Sequence, residues 1–129
     1  MAGIEVLIER VEGARLSDKA SENSPSSYSL NVSMSEKDRT SESLVLNFSL
    51  ELTSQPQLAR LLVTGTATIS GSKDDIQGVT NTPDDKNPPV ILLTIYERVY
   101  GLLYLVSTSL KVPHPMPTLL RMGGPEAEG

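Results

Sequence analysis

The sequence has no cysteine and only one histidine, His114. Without cysteine, the chain forms no disulfide framework, thiol nucleophile, thiolate metal site or iron–sulfur cluster. His114 alone supports neither a multi-histidine metal site nor a histidine-based catalytic triad within one chain. No serine has the Gly-x-Ser-x-Gly setting of a hydrolase nucleophile. We therefore expect a protein that is not an enzyme and that has no cofactor.

Basic residues are also few, with 11 Lys and Arg against 16 Asp and Glu and a formal net charge of −5. Nucleic-acid binders need clustered Lys and Arg to displace phosphate counterions, so this class is disfavoured. Residues 1–11 carry Glu5 and Glu9, whereas a signal peptide needs a basic start and an uninterrupted apolar stretch. We therefore expect a cytoplasmic protein. The length of 129 residues predicts one domain.

Acidic residues cluster in one polar stretch, residues 72–87. Its aspartates are Asp74, Asp75, Asp84 and Asp85. Carboxylates are ligands for Ca²⁺ or Mg²⁺, but these lack the alternating spacing and central glycine of an EF-hand loop. The stretch is predicted to be a solvated loop with no metal.

Strict alternation of apolar and polar side chains predicts β-strands in the first half, because successive strand side chains point to opposite faces. The apolar positions of the four segments are Ile4, Val6 and Ile8; Tyr28, Leu30, Val32 and Met34; Leu44, Leu46, Phe48, Leu50 and Leu52; and Leu61, Val63, Ala67 and Ile69. Polar sequence separates them: a long crossover over 14–27, a charged turn over 35–43 and a hairpin connection over 54–57. The pattern predicts a four-stranded antiparallel sheet, a meander with a long first crossover, that has one apolar face.

That face needs a cover, and residues 90–110 are the remaining apolar segment. Their length is close to the roughly 20 residues that span a bilayer. Glu97 and Arg98 lie in the middle, where each would cost about 2.5–3.5 kcal/mol in a membrane, so a long buried helix is favoured. The sequence offers two possible starting points for this helix. The prolines at 88–89 suit a first helical turn, which we favour, and Thr94 with Glu97 has capping-box spacing.

Helical spacing gives this helix two apolar stripes. The stripe predicted to face the sheet consists of Ile91, Ile95, Val99, Leu102, Val106 and Leu110. The second stripe consists of Leu92, Tyr96, Tyr100, Leu103 and Tyr104. One small sheet cannot bury both stripes, so we predict that the second stripe binds a client or partner chain. Tyrosines suit an interface, where the ring is buried and the hydroxyl is hydrogen-bonded.

The helix is predicted to end by Lys111, because the prolines that follow cannot continue it and favour an extended path. The chain then divides into a folded domain over 1–112 and a proline-rich segment with a tail over 113–129. On the helix, Glu97 and Arg98 point about 100° apart and cannot pair with each other. They either face solvent or form the ion pairs of an oligomer interface.

The order of four strands, one long helix and a proline-rich exit resembles the SecB-type export chaperones and their SecB-like relatives. The segments that carry the resemblance are Ala59–Val63 through Ile69–Gly71, the helix start Pro89-Val90-Ile91-Leu92, and Tyr96-Glu97-Arg98. The resemblance covers about residues 28–117. It implies an oligomeric α+β protein, a dimer of dimers, that binds unfolded polypeptide in hydrophobic grooves and serves protein transport without nucleotide or metal.

The sequence departs from the family pattern in two places. SecB proteins continue past the proline-rich exit into a second helix that helps to bound the client groove, whereas this chain offers only residues 118–122 before its glycines. Tyr96-Glu97-Arg98 keeps the family's tyrosine but reverses the order of the acidic and basic residues. Two functions follow as hypotheses: a polypeptide-binding chaperone, or a structural or adaptor subunit that uses the same stripe as a permanent interface.

Overall fold

The computed structural model of the protein describes residues 2–21, 23, 27–81 and 88–117. Its elements are β1 (Gly3–Arg15), β2 (Ser27–Arg39), β3 (Ser43–Gln55), β4 (Ala59–Ser70), α1 (Lys73–Thr80) and α2 (Val90–Leu110). The predicted tail after residue 117 lies outside the described residues.

The four strands form one antiparallel sheet in the spatial order β1-β4-β3-β2. The last three strands follow one another as a meander, while the chain crosses from β1 to the opposite edge of the sheet before β2 begins. The predicted four-stranded antiparallel sheet with a long first crossover is confirmed. This order places β4 and β3 in the middle and leaves β1 and β2 as the two edge strands.

Both edge strands carry an irregularity in their pairing. The register of β1 against β4 shifts between Ile8 and Arg10, and the register of β2 against β3 shifts between Glu36 and Asp38. A bulge bends and twists the strand that contains it. The β1 bulge lies beside Gly65 of β4, where an added β-carbon would overlap the carbonyl oxygen of Leu7.

The two faces of the sheet differ in chemistry. The inner face carries the predicted alternating apolar residues, and its fully buried members are Leu50, Leu52, Leu61, Val63, Ala67 and Ile69. The outer face carries hydroxyl and amide side chains in register, such as Ser33 opposite Ser49 and Ser49 opposite Thr64. The core therefore lies on one side of the sheet only, and α2 covers it.

Helix α2 begins at Val90, so the earlier of the two predicted starts is correct. It packs against β1 and β4, and Ile91, Ile95 and Val99 are fully buried. Toward its end, Val106 and Leu110 pack over Gly13 of β1. Among the described residues, α2 is the one helix long and apolar enough to cross a membrane. In this fold it lies across the sheet.

The sequence reading missed helix α1, which occupies the first half of the stretch predicted to be a loop. The Ser72 hydroxyl accepts a hydrogen bond from the Asp75 amide at 3.1 Å, and the Asp75 carboxylate accepts one from the Ser72 amide. This capping box satisfies amides that the first helical turn leaves unpaired. Ile76 is buried, so α1 adds a small apolar contact at the end of the sheet.

Two strand boundaries also differ from the prediction. Strand β1 continues to Arg15, and β2 continues to Arg39 through the segment predicted as a charged turn. Both extensions are largely exposed and polar. Because apolar and polar residues hardly alternate in these extensions, the sequence pattern does not predict them as strands. Their backbones are held by pairing of β1 with β4 and of β2 with β3.

Candidate functional site: the second helix stripe and the proline segment

The second stripe of α2 is only partly open to solvent. Leu92, Tyr96 and Leu103 are buried, Tyr100 is half-buried, and Tyr104 is exposed. The sequence led us to expect that another chain must cover this stripe. In the structure, Leu92, Tyr96 and Leu103 belong to the main core. The chain's own residues 112–117, which we call the proline segment, contact the three tyrosines of the stripe. The client-binding and interface roles of the stripe residues stay predictions.

The proline segment leaves the end of α2 and runs back along the helix. Three tyrosine hydroxyls donate hydrogen bonds to its carbonyl oxygens. Tyr28 of β2 donates to Pro113 at 2.8 Å, Tyr100 donates to Pro115 at 2.9 Å, and Tyr96 donates to Met116 at 2.7 Å. The proline segment thus lies between α2 and the start of β2, with Pro113 and Pro115 buried.

The chemistry of proline explains this arrangement. Proline has no backbone N–H, so a proline-rich strand offers acceptors but few donors, and it cannot pair with a neighbouring β-strand in the ordinary way. Within the described residues, no backbone–backbone hydrogen bond involves the segment beyond Val112. Tyrosine supplies both an apolar ring to pack against proline and a hydroxyl for the carbonyl. The segment is held as a peptide is held in a groove.

Burial changes the acidity of the tyrosines that hold the segment. Desolvation raises the pKa of Tyr28 to about 12. It also raises the pKa of Tyr96, with a further contribution from neighbouring Tyr100. Desolvation by burial is also the main cause that raises the pKa of Tyr100, and neighbouring Tyr104 adds to the increase. All three hydroxyls therefore keep the proton that they donate at neutral pH.

His114 makes the fourth side-chain contact of the segment. Its Nδ1 atom lies 2.6 Å from the Ser107 hydroxyl, and its ring stacks on Tyr104 with centroids 4.1 Å apart and planes 11° apart. The His114 side chain is half-buried. Ser107 is fully buried and also donates to the Tyr104 carbonyl at 2.9 Å. The Ser107–His114 pair therefore joins the proline segment to the last turns of α2.

Arg15 fixes the base of the proline segment. Its guanidinium donates to the carbonyl oxygens of Leu110 at 3.0 Å and Lys111 at 3.1 Å, and also to those of Asp18 and Ala20. Lys111 has the left-handed backbone conformation, with φ 57°. A cation at a helix C-terminus also interacts favourably with the helix dipole.

Val112 is fully buried and packs with Ala20 and Ala59 in a small cluster separate from the main core. The first residue of the proline segment is therefore anchored, whereas Met116 and Pro117 at its far end are exposed.

Among the apolar surfaces that the described residues leave open, one on the sheet and one on α2 could contact another chain. On the inner face at edge strand β2, Val32 is 37% exposed, and Leu30 and Met34 are partly buried. On α2, Tyr104 is 47% exposed and Leu105 is 61% exposed. The first surface belongs to the sheet and the second to the helix.

Glu97 and Arg98 are both exposed on the outer side of α2. Gly101 follows on the same side, and an added β-carbon there would meet nothing within 4 Å. Glycine inside a helix costs roughly 1 kcal/mol relative to alanine, and the protomer itself gives no steric reason for it. This side of α2 has room for the close approach of another chain.

The described residues hold no group of three or more His, Cys, Asp or Glu side chains that could bind a metal. Asp75 serves as part of the α1 cap, and Asp84 and Asp85 lie outside the described residues.

The fold defines a class: an antiparallel sheet covered by one long helix, with an extended segment laid back along that helix. No family model matches the sequence, and no curated protein matches it. Among solved structures, the fold is similar to the Mycobacterium tuberculosis Rv1957 SecB-like chaperone in complex with a ChAD peptide from the Rv1956 HigA1 antitoxin. The TM-score is 0.63 at 15% identity, with 90% of this chain and 86% of that chain covered.

A protein of unknown function from Streptococcus agalactiae also matches, with a TM-score of 0.44 at 14% identity over 88% of this chain and 94% of that chain. On the first comparison, the fold is SecB-like, and the predicted resemblance and α+β fold class are confirmed.

Sequence reasoning missed two residues of the site, Tyr28 and Arg15. Tyr28 was assigned to the core face of β2 and Arg15 to a loop. The useful signal was the segment Pro113-His114-Pro115, whose carbonyls need donors from elsewhere in the chain. Tyr28 is the one aromatic residue in the apolar register of β2, which makes it a natural donor.

Proposed function

We propose that this protein is a non-catalytic, polypeptide-binding chaperone of the SecB-like type. The observation that carries the proposal is the proline segment, an extended stretch of polypeptide held on the apolar side of the fold by tyrosine hydroxyls and ring packing. The same chemistry suits an extended segment of an unfolded client. The similar Rv1957 chaperone is in complex with a peptide, which supports a polypeptide partner here.

The client surface that we propose combines the groove of the proline segment with the open inner face at β2. Val32, Leu30 and Met34 offer apolar area next to a strand edge. An extended chain can use both features, because its backbone pairs with an edge and its side chains enter apolar pockets. The net charge of −5 keeps the empty protein soluble.

We propose further that the protein acts as a homo-oligomer, joined through the outer side of α2. The exposed Tyr104 and Leu105 supply apolar area, Gly101 permits close approach, and Glu97 and Arg98 lie nearby for ion pairs between subunits. Charge reversal by Glu97→Lys should lower the sedimentation coefficient while leaving the β-sheet signal in circular dichroism unchanged. An unchanged sedimentation profile would reject this interface.

The test of the function is suppression of aggregation. The purified protein is mixed at near-stoichiometric ratio with an unrelated, chemically unfolded protein that is diluted into buffer, and light scattering is followed. We expect strong suppression by the wild type. The matched variants are Val32→Ser, which removes apolar area at the open face, and Ser33→Ala, its outward-facing neighbour. The first should suppress less, and the second should match the wild type.

The second candidate function is a structural or adaptor subunit with a permanent partner on α2. The high exposure of Leu105 and Tyr104 favours this candidate. A subunit of this kind should fail to suppress aggregation when it is alone, so the same assay separates the two functions.

A further inference from the structure

We propose that the proline segment is a displaceable internal ligand, and that its groove takes, in trans, peptides of the same chemistry: extended segments with prolines at alternate positions. This inference rests on the proposed function and names the preferred client and its regulation. The proline segment competes with the client, so the groove is open only in the fraction of molecules in which the segment has detached.

The first argument is the way the segment is bound. Beyond Val112, the hydrogen bonds of its backbone within the described residues come from the side chains of other elements, and none joins its backbone to another backbone. An integral part of a sheet or helix would have the opposite pattern. A peptide bound in a groove is held by side-chain donors and packing, as this segment is.

The second argument is the alternation along the segment. Pro113 and Pro115 are buried, His114 between them is half-buried, and Met116 and Pro117 are exposed. The two buried prolines, which lie two positions apart, therefore enter the groove while the residue between them is less buried, as in an extended or polyproline-type ligand on an aromatic surface. Proline suits the buried positions because it presets φ and leaves no N–H to be buried without a partner.

The third argument is the difference between the two ends. Arg15 and the cluster around Val112 anchor the base. At the far end of the described part, residues 116–117, the hydrogen bond is the one that the Tyr96 hydroxyl donates to the Met116 carbonyl. Detachment from residue 113 onward leaves the core residues of the sheet-facing stripe in place. Detachment breaks the hydrogen bonds that Tyr28, Tyr96 and Tyr100 donate to the segment. Their hydroxyls could then donate to the carbonyls of an incoming peptide.

The experiment loosens the segment without touching the groove. In the double variant Pro113→Gly with Pro115→Gly, the segment loses its preset conformation, while every tyrosine stays. The matched control is Pro117→Gly, the same change at an exposed position. The probe is a fluorescein-labelled peptide with the sequence of residues 111–117, and its control has alanine in place of the three prolines. Binding is measured by fluorescence anisotropy on the full chain.

Detachment has its own readout, independent of binding. Trypsin cleaves after Lys111 only when the residues that follow can extend into its active site. Release of Pro113 and the residues after it should therefore speed this cleavage, and mass spectrometry identifies the product. We expect the double variant to be cut faster and to bind the proline peptide about tenfold more tightly than the wild type, because the apparent affinity rises with the open fraction. Pro117→Gly should stay within about twofold of the wild type, and the alanine peptide should bind about tenfold more weakly than the proline peptide.

Two results would overturn the inference. One is a double variant that is folded and cut faster by trypsin but binds the peptide no better than the wild type. The other is equal cutting of both proteins, which would make the segment a fixed part of the fold. If the double variant does not fold, His114→Ala, which removes the Ser107 and Tyr104 contacts, takes its place under the same criteria.

The outcome also separates this inference from the proposed function. If the variants still suppress aggregation but their affinity for the peptide is unchanged, the chaperone function is supported and the proposal of a displaceable ligand is rejected. Tighter peptide binding without any suppression retains the groove and removes the chaperone function.

Discussion

At the scale of single residues, four side chains decide how the proline segment is held. Tyr28, Tyr96 and Tyr100 each join an apolar ring to a hydroxyl that donates to a carbonyl, and His114 stacks on Tyr104. A phenylalanine would keep the ring packing and lose the hydrogen bond. The contribution of each hydroxyl can therefore be measured separately from that of its ring.

Tyr96→Phe should lower the free energy of unfolding by about 1 kcal/mol, because it removes the hydrogen bond from a buried hydroxyl to the Met116 carbonyl. Urea denaturation followed by circular dichroism measures the change. The control is Tyr104→Phe, at a ring that is 47% exposed, which should stay within about 0.5 kcal/mol of the wild type. Equal effects of the two substitutions would contradict the assigned role of the Tyr96 hydroxyl.

Stability should also fall at alkaline pH. Burial raises the pKa of Tyr28 from 10.0 to about 12. The unfolded chain therefore loses this proton first as the pH rises, and its contribution to stability is complete below pH 10 and is lost between pH 10 and 12. Urea midpoints measured across this window should fall more gently for Tyr28→Phe than for the wild type. Parallel curves would show that Tyr28 is not protected by burial.

At the scale of secondary-structure elements, Arg15 connects three pieces of chain. Its guanidinium joins the end of β1 to the C-terminus of α2 and to the loop at residues 16–20. Arg15 therefore holds the junction at which α2 ends and the proline segment begins.

Arg15→Ala should destabilise the fold by about 1–2 kcal/mol, because charge-assisted hydrogen bonds to the helix carbonyls are lost. Arg39→Ala is the matched control, since Arg39 pairs with Glu36 on the surface at 3.0 Å and should cost no more than about 1 kcal/mol. Thermal melts of both variants give the comparison. Equal decreases in melting temperature for the two variants would contradict the role of Arg15 at the helix end.

The elements themselves were largely predictable from the sequence. Burial of one sheet face imposes strict alternation, which located all four strands, and helical spacing with the double proline located α2 from Val90 to Leu110. Helix α1 was missed because it buries only Ile76 and so has little apolar periodicity. Its Ser72 and Asp75 capping box was the one local signal.

The site was predictable only in part. Periodicity identifies which face of α2 is apolar, but it does not identify which piece of chain covers that face. The sequence therefore indicated that a second side of α2 is apolar and left its cover open, and it did not show that Leu92, Tyr96 and Leu103 join the main core. The cover depends on where Tyr28 lies relative to the proline segment, a contact between residues 85 positions apart, which no local pattern encodes.

At the scale of the whole molecule, the side of α2 that faces away from the sheet is the surface through which we propose that copies of the protein associate. It carries exposed apolar residues and a glycine where a side chain would meet nothing. Alanine at position 101 would favour the helix of the monomer, whereas close packing of a second copy there would favour glycine. The two effects can be tested together.

Gly101→Ala should stabilise an isolated protomer by roughly 1 kcal/mol, because alanine is the better helix former and nothing in the protomer obstructs it. If a second copy packs closely at this position, the same change should weaken assembly. Analytical ultracentrifugation and urea denaturation on one sample measure both effects. Higher stability with unchanged assembly would place the interface elsewhere.

The two bulged edge strands have a consequence for ordered growth of the sheet. Sheets grow into fibrils when a straight, unpaired border accepts one identical strand after another. Here each border is interrupted, near Ile8 on one side and near Glu36 on the other. A strand of another chain would find only a short regular stretch along either border, so neither edge offers a continuous template for fibril growth.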